Sequence, residues 1–231
     1  ARFVVERAER ARITKRFRSY VDPVLVNYVI EHPGQDTLAG QVRELSVVFT
    51  DLQGFTTLSE RLQEQTVPLL QEYMGLMVPI IRQNDGYVNK FLGDGIMFFY
   101  GAPLGDEHHS VHAVRTALEM QEAMVDFNRS LTERDLPNVL MRVGISTGPM
   151  VVGDAGPADA SDYTVLGDAV NLGARLESAN KTTGTRILMT KRTTELLDGH
   201  FLIRPIAKLQ VVGKQESEMT YEAMAFTDAA T

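Results

Sequence analysis

The chain of 231 residues contains no cysteine and no tryptophan. Without cysteine there is no disulfide framework, no thiolate metal site and no cysteine nucleophile, a composition that fits a reducing compartment. No apolar run approaches the ~20 residues of a membrane-spanning helix. No signal-peptide pattern opens the chain. The expected setting is therefore cytoplasmic, either as a soluble protein or as the cytosolic part of a membrane-anchored one. Basic side chains are outnumbered by acidic ones, 23 to 30, for a net charge of −7. That deficit argues against nucleic acid as the main partner. Phosphate-cradling glycine loops are missing too. No G-x-x-x-x-G-K-[ST] occurs, and no G-x-G-x-x-G lies between a strand and a helix; Gly213-Lys214 is followed by Gln215. A bound nucleotide would have to be held by metals and side chains.

What is present is enough apolar content, 44%, to bury a substantial core in one domain with a short appendage. The first 18 residues run against the overall charge. Seven basic side chains (Arg2, Arg7, Arg10, Arg12, Lys15, Arg16, Arg18) stand against Glu6 and Glu9, a balance of +5 that leaves −12 on the remainder. This run reads as a charged helix, either beside a membrane's cytoplasmic face or simply solvated. Asp22-Pro23 caps and opens a short helix that ends before His32-Pro33-Gly34. Residues 1–43 are read as an appendage or connector with little ability to fold alone, and 44–231 as the compact domain.

That domain begins with the apolar strand Leu45–Thr50, which runs into Asp51. Thr57 and Glu60 have the spacing of a capping box for the next helix. Leu70, Met74, Met77 and Ile81 mark the core face of a longer helix closed by Asp85-Gly86. Tyr87–Leu92 and Ile96–Tyr100 flank Gly93-Asp94-Gly95 as a hairpin. A helix over 107–128 follows, with Val111, Val114, Leu118 and Met124 inward. His108, His109 and His112 at its start read as a solvated terminus rather than a zinc site, since no third ligand has a supporting spacing. Next come strand Val139–Ser146, a glycine-punctuated stretch, a polar loop 154–162, a helix from Gly167-Asp168 to Asn180, a strand Thr185–Met189 and a terminal hairpin of Phe201–Val212 with Met219–Phe226. Short turns join several strand pairs, so an α+β sandwich with a mixed, mainly antiparallel sheet fits better than a doubly wound parallel one.

Asp51 ends a buried strand and Asp94 sits at a hairpin tip. If those strands are neighbours, both carboxylates project from one end of the sheet, a donor set that suits two Mg²⁺ ions sharing substrate phosphates. Singly, Asp51 could cap a helix and Asp94 could favour its turn. Asn171 and Arg175, at i and i+4, share one helix face. Asn can hydrogen-bond a ribose, and the planar Arg fork suits a phosphate gaining charge; the alternative is a solvated polar face.

Three segments, Phe49–Thr56, Lys90–Asp94 and Leu166–Arg175, resemble the signature segments of class III adenylyl and guanylyl cyclase catalytic domains, in the family's order and approximate spacing. The resemblance covers about residues 43–226. It implies the family's ferredoxin-like sandwich, two metal ions (Mg²⁺ or Mn²⁺) per site and a homodimer with composite sites. It also implies that residues 1–43 resemble the signalling helix and transducer that would join the domain to an upstream sensor or membrane module. By resemblance, Asp51 and Asp94 bind both metals with help from the Leu52 carbonyl, Asn171 orients the ribose, and Arg175 stabilises the pentacoordinate phosphorus. Lys90 and Thr164 align with the purine-selecting pair: adenine offers an acceptor at N1 to Lys90 and an amino donor to Thr164. Guanylyl cyclases typically carry Glu at the lysine position. Many adenylyl cyclases have Asp where this chain has Thr164; Thr resembles the subset described as bicarbonate-responsive. Val212 stands before Gly213 where the family often has a phosphate-binding Lys, leaving Lys214 as its substitute. The expected function is conversion of ATP to 3′,5′-cyclic AMP and pyrophosphate. A guanylyl or dual-specificity cyclase, and a silent nucleotide-binding regulatory domain, are the alternatives.

Overall fold

The computed structural model describes residues 22–32, 39–157, 161–210 and 217–227. Helix α1 (Pro23–Glu31) has Asp22 as its N-cap, accepting from Val24 N at 2.9 Å, and rests Leu25 on the sheet. Strand β1 (Gln41–Gln53) is the spine of the domain. Leu45, Val47 and Phe49 enter one apolar cluster while Val48 and Leu52 enter another, because successive strand side chains point to opposite faces. A strand covered on both faces needs apolar residues at consecutive positions, which explains the unbroken Val47-Val48-Phe49 run.

From β1 the chain passes through α2 (Phe55–Leu62), a 3₁₀ turn (Gln63–Gln65) and α3 (Thr66–Gln83) to the hairpin β2 (Tyr87–Leu92) and β3 (Gly95–Tyr100). Helix α4 (His109–Glu133) then leads to β4 (Leu140–Ala155). These four strands lie in the order β2-β3-β1-β4, each antiparallel to its neighbour, the arrangement of a ferredoxin-like split βαβ unit. Strand β5 (Asp162–Leu166) pairs with the far half of β4. After α5 (Asp168–Thr183), β6 (Ile187–Thr190) lies parallel to β4. A short helix α6 (Lys191–Glu195) precedes the antiparallel pair β7 (Phe201–Gln210) and β8 (Ser217–Phe226), which completes an eight-stranded sheet through β6. The mixed, mainly antiparallel sandwich expected from the sequence is the fold observed.

Helices α3 and α4 cover one face, with Tyr73, Met77 and Ile81 packed against Val114, Ala117 and Phe127 over Val48, Phe98 and Val143. Helix α5 covers the other at very short range. A Cβ on Gly144 of β4 would stand 2.2 Å from both Glu177 N and Gly173 O, and one on Gly173 would stand 3.1 Å from the Phe49 ring. Two glycines therefore let the backbone of α5 settle onto β4 and β1. Asn180 fixes the end of the helix by donating to Val143 O at 2.9 Å.

Several local expectations are corrected. Thr57 and Glu60 form no capping box: Gly54, with φ 92°, ends β1, helix α2 starts at Phe55, and Thr57 lies exposed inside it. The core face of α3 runs through Leu69, Tyr73, Met77 and Ile81, with Leu70 and Met74 only partly buried at its flank. The glycine-punctuated stretch after Ser146, left unassigned from the sequence, is the second half of β4, held by β1 from Gln41 to Leu45 on one side and β5 on the other. Of the three histidines only His108 is exposed at the helix start as expected. His109 is buried against Ser46 Oγ (2.8 Å to Nδ1), with burial pushing its pKa down, and His112 pairs with Asp106 at 2.9 Å. The charged helix expected over residues 2–18 lies outside the described residues.

Candidate active site

Sheet topology brings the two aspartates together. Thr50 Oγ1 accepts from Ile96 N at 3.0 Å, and Gly95 sits so close to β1 that a Cβ there would lie 2.4 Å from Thr50 O. This pins the β2–β3 hairpin tip to the end of β1. Asp94 Oδ2 then accepts from Leu52 N at 3.2 Å, next to Asp51. Burial pushes the Asp94 carboxyl above its usual range, and the Asp51 charge adds to the effect. Two carboxylates crowded against a backbone carbonyl segment make a hard oxygen donor set with surplus negative charge, and a divalent cation relieves both conditions. Among the described residues no group of three His, Asp or Glu side chains converges. The remaining ligands of any ion here must come from backbone, water or substrate.

A charged pair that sequence reasoning missed completes this end of the site. Arg142 on β4, directly opposite Asp51 in the β1–β4 register, binds the Asp51 carboxylate and approaches Glu177 Oε1 of α5 at 3.0 Å. The second contact lacks hydrogen-bond alignment and is coulombic. Burial raises the Glu177 pKa, with the Asp51 charge next in weight. The signal was an arginine in the otherwise apolar strand Leu140–Ile145, a charge that burial requires to be paired.

Lys90 and Thr164 also come together, one on β2 and one on β5. Lys90 Nζ pairs with Asp162 Oδ2 at 2.8 Å, and Thr164 Oγ1 donates to Asn89 Oδ1 at 2.9 Å. Asp162 and Asn89 were not singled out from the sequence. Asn171 and Arg175 lie on α5 as expected, both exposed, while their neighbours Leu172 and Leu176 are buried. Lys214 lies outside the described residues.

With this geometry in place, comparison with known proteins is direct. The adenylate and guanylate cyclase catalytic domain profile matches residues 38–224. Adenylate cyclase 1 of Rhizobium meliloti is 34% identical over 214 residues, covering 92% of this chain and 32% of that protein. An adenylate cyclase of Anabaena cylindrica is 32% identical, covering 81% of this chain and 38% of its own length. The chain thus spans about a third of these relatives. The crystal structure of the adenylyl cyclase CyaB from P. aeruginosa superposes with a TM-score of 0.77 at 31% identity, covering 84% of this chain and all (100%) of that one. A guanylyl cyclase crystal structure superposes at 0.75 with 32% identity, covering 83% of this chain and 97% of its own. On sequence and on structure, the chain belongs to the adenylate and guanylate cyclase catalytic domain family.

Proposed function

We propose that this domain is an adenylyl cyclase that converts ATP to 3′,5′-cyclic AMP and pyrophosphate as a homodimer. The observation that carries the choice of base is Lys90 beside Thr164, with an ammonium to meet the adenine N1 acceptor. Likeness to a guanylyl cyclase at 32% identity gives the GTP reading its support, so the base contacts must decide rather than the fold.

Asp51, Asp94 and the Leu52 carbonyl would hold two divalent ions, Mg²⁺ or Mn²⁺, which when bound lower the pKa of the ribose 3′-hydroxyl and neutralise the triphosphate. Asn171 orients the ribose so that its 3′-oxygen attacks the α-phosphorus in line with the bond to the departing pyrophosphate. Arg175 stabilises the charge that gathers on the phosphorus oxygens and the leaving group. Lys214 is assigned to the triphosphate. Lys90 and Thr164 read the purine edge.

Each site would draw its aspartates from one subunit and Lys90, Thr164, Asn171 and Arg175 from the other. An exposed apolar row supports a partner surface. Val42, Val151 and Leu166, direct cross-strand neighbours on β1, β4 and β5, are 74%, 43% and 54% exposed. Phe91 and Leu92 are exposed beside the hairpin tip. An upstream sensor or membrane module belongs to the same proposal, as does a cytoplasmic location. Among the described residues no helix is long and apolar enough to cross a membrane. The test is incubation with ATP or GTP and Mg²⁺ or Mn²⁺, followed by identification of the product. Cyclic AMP from ATP is expected, and cyclic GMP as the main product would overturn the choice of base.

A further inference from the structure

Asn89 occupies an unusual place in the sheet. The β2–β3 register jumps from Val88 opposite Phe98 to Lys90 opposite Met97, leaving Asn89 as the extra residue of a bulge. In a regular strand Asn89 and Lys90 would point to opposite faces. A bulge re-aims a side chain, and here both residues reach β5: Lys90 to Asp162, Asn89 to Tyr163 and Thr164.

The hydrogen bonds of Asn89 can have only one polarity. Its Nδ2 lies 2.7 Å from Tyr163 O. A backbone carbonyl can only accept, so the amide nitrogen must face it. That orientation turns Oδ1 toward the Thr164 hydroxyl, 2.9 Å away. An amide oxygen also can only accept, so the single Thr164 proton is committed to Asn89. Thr164 is 7% exposed, and its hydroxyl can therefore offer a ligand only lone pairs. Lone pairs suit the 6-amino group of adenine and oppose the 6-oxo group of guanine or hypoxanthine. A hydroxyl free to rotate could serve either base, and the threonine alone does not discriminate.

We infer that Asn89 is a specificity-determining positioning residue, which locks Thr164 as a hydrogen-bond acceptor and so directs the site to 6-amino purines. The inference rests on Lys90 and Thr164 being the base-reading pair. Lys90 itself pairs with Asp162 at 2.8 Å beside the Asn89–Thr164 bond.

The test compares ATP with inosine triphosphate, whose base differs only at N1 and position 6. The readouts are the ratio of kcat/KM values and the ratio of equilibrium affinities for the 3′-deoxy analogues, which lack the attacking hydroxyl. Asn89→Ala should lower the preference for ATP about tenfold, by removing a lone-pair clash and allowing a new donor bond. Asn89→Asp keeps an acceptor toward Thr164 but sets a second acceptor against the Tyr163 carbonyl, so it should retain more of the parent preference than Asn89→Ala. Thr164→Val should lower the preference, and adding Asn89→Ala to it should change nothing further. A purely structural Asn89 would weaken both nucleotides equally and leave both ratios at the parent value. That result, with Thr164→Val still lowering the preference, overturns the role of Asn89. If Thr164→Val leaves the preference intact, the base-reading assignment itself fails.

Discussion

Asp94 is held in a place that is unfavourable for a carboxylate without a cation. Burial first, then the neighbouring Asp51 charge, raises its pKa. A carboxyl with a raised folded-state pKa favours folding at pH values below its unfolded pKa and loses that contribution as pH rises through the folded value. The metal-free domain should therefore lose stability from the ordinary carboxylate range upward, and Asp94→Asn should remove part of that loss. Thermal melts in chelator between pH 4 and 7 check this. At neutral pH the variant is expected to melt on the order of 2 °C higher than the parent while losing all turnover. A lower melting point would mean that Asp94 has a purely structural place in its turn. Lys90→Glu should cut ATP cyclisation at least tenfold, since it sets a carboxylate against the adenine N1 acceptor; an unchanged kcat/KM for ATP would remove Lys90 from base reading.

At the scale of elements, the site depends on how closely α5 approaches the sheet. Gly144→Ala would put a methyl group 2.2 Å from two backbone atoms of the helix, neither able to yield like a side chain. Separation of α5 from β4 should cost about 3 kcal/mol, measurable by denaturant unfolding. It should also lower activity, because Arg142–Glu177 ties that helix to Asp51. Undiminished stability would contradict the packing described. The same elements indicate how far sequence could lead. The Gly93-Asp94 turn and the Asp22-Pro23 start of α1 depend on local chemistry and are found as read, while the run Leu45–Thr50 proves to be the middle of a longer strand, Gln41–Gln53, that begins ahead of the expected domain start at residue 44. The second half of β4 exists only because β1 and β5 flank it, so no local pattern announced it. Arg142, Glu177, Asn89 and Asp162 escaped notice for the same reason. Their partners lie on other strands or helices, and only the register places them together.

For the whole molecule, the proposed function assigns two half-sites to one chain: two aspartates at the end of β1 and the hairpin tip, and a proposed base-reading pair with Asn171 and Arg175. Their joining across a two-fold axis is the central claim, and mixing two inactive variants tests it most directly. Asp51→Ala removes the metal half and Arg175→Ala the phosphate half. In a heterodimer one composite site carries both lesions and the other neither. Free exchange at 1:1 makes half the dimers heterodimers, each with one of two sites intact, so activity should return to about a quarter of the parent value per protomer. Each variant alone should remain inactive at every concentration. Continued inactivity of the mixture, with heterodimers shown to form, would contradict the composite site and require a complete site within one chain.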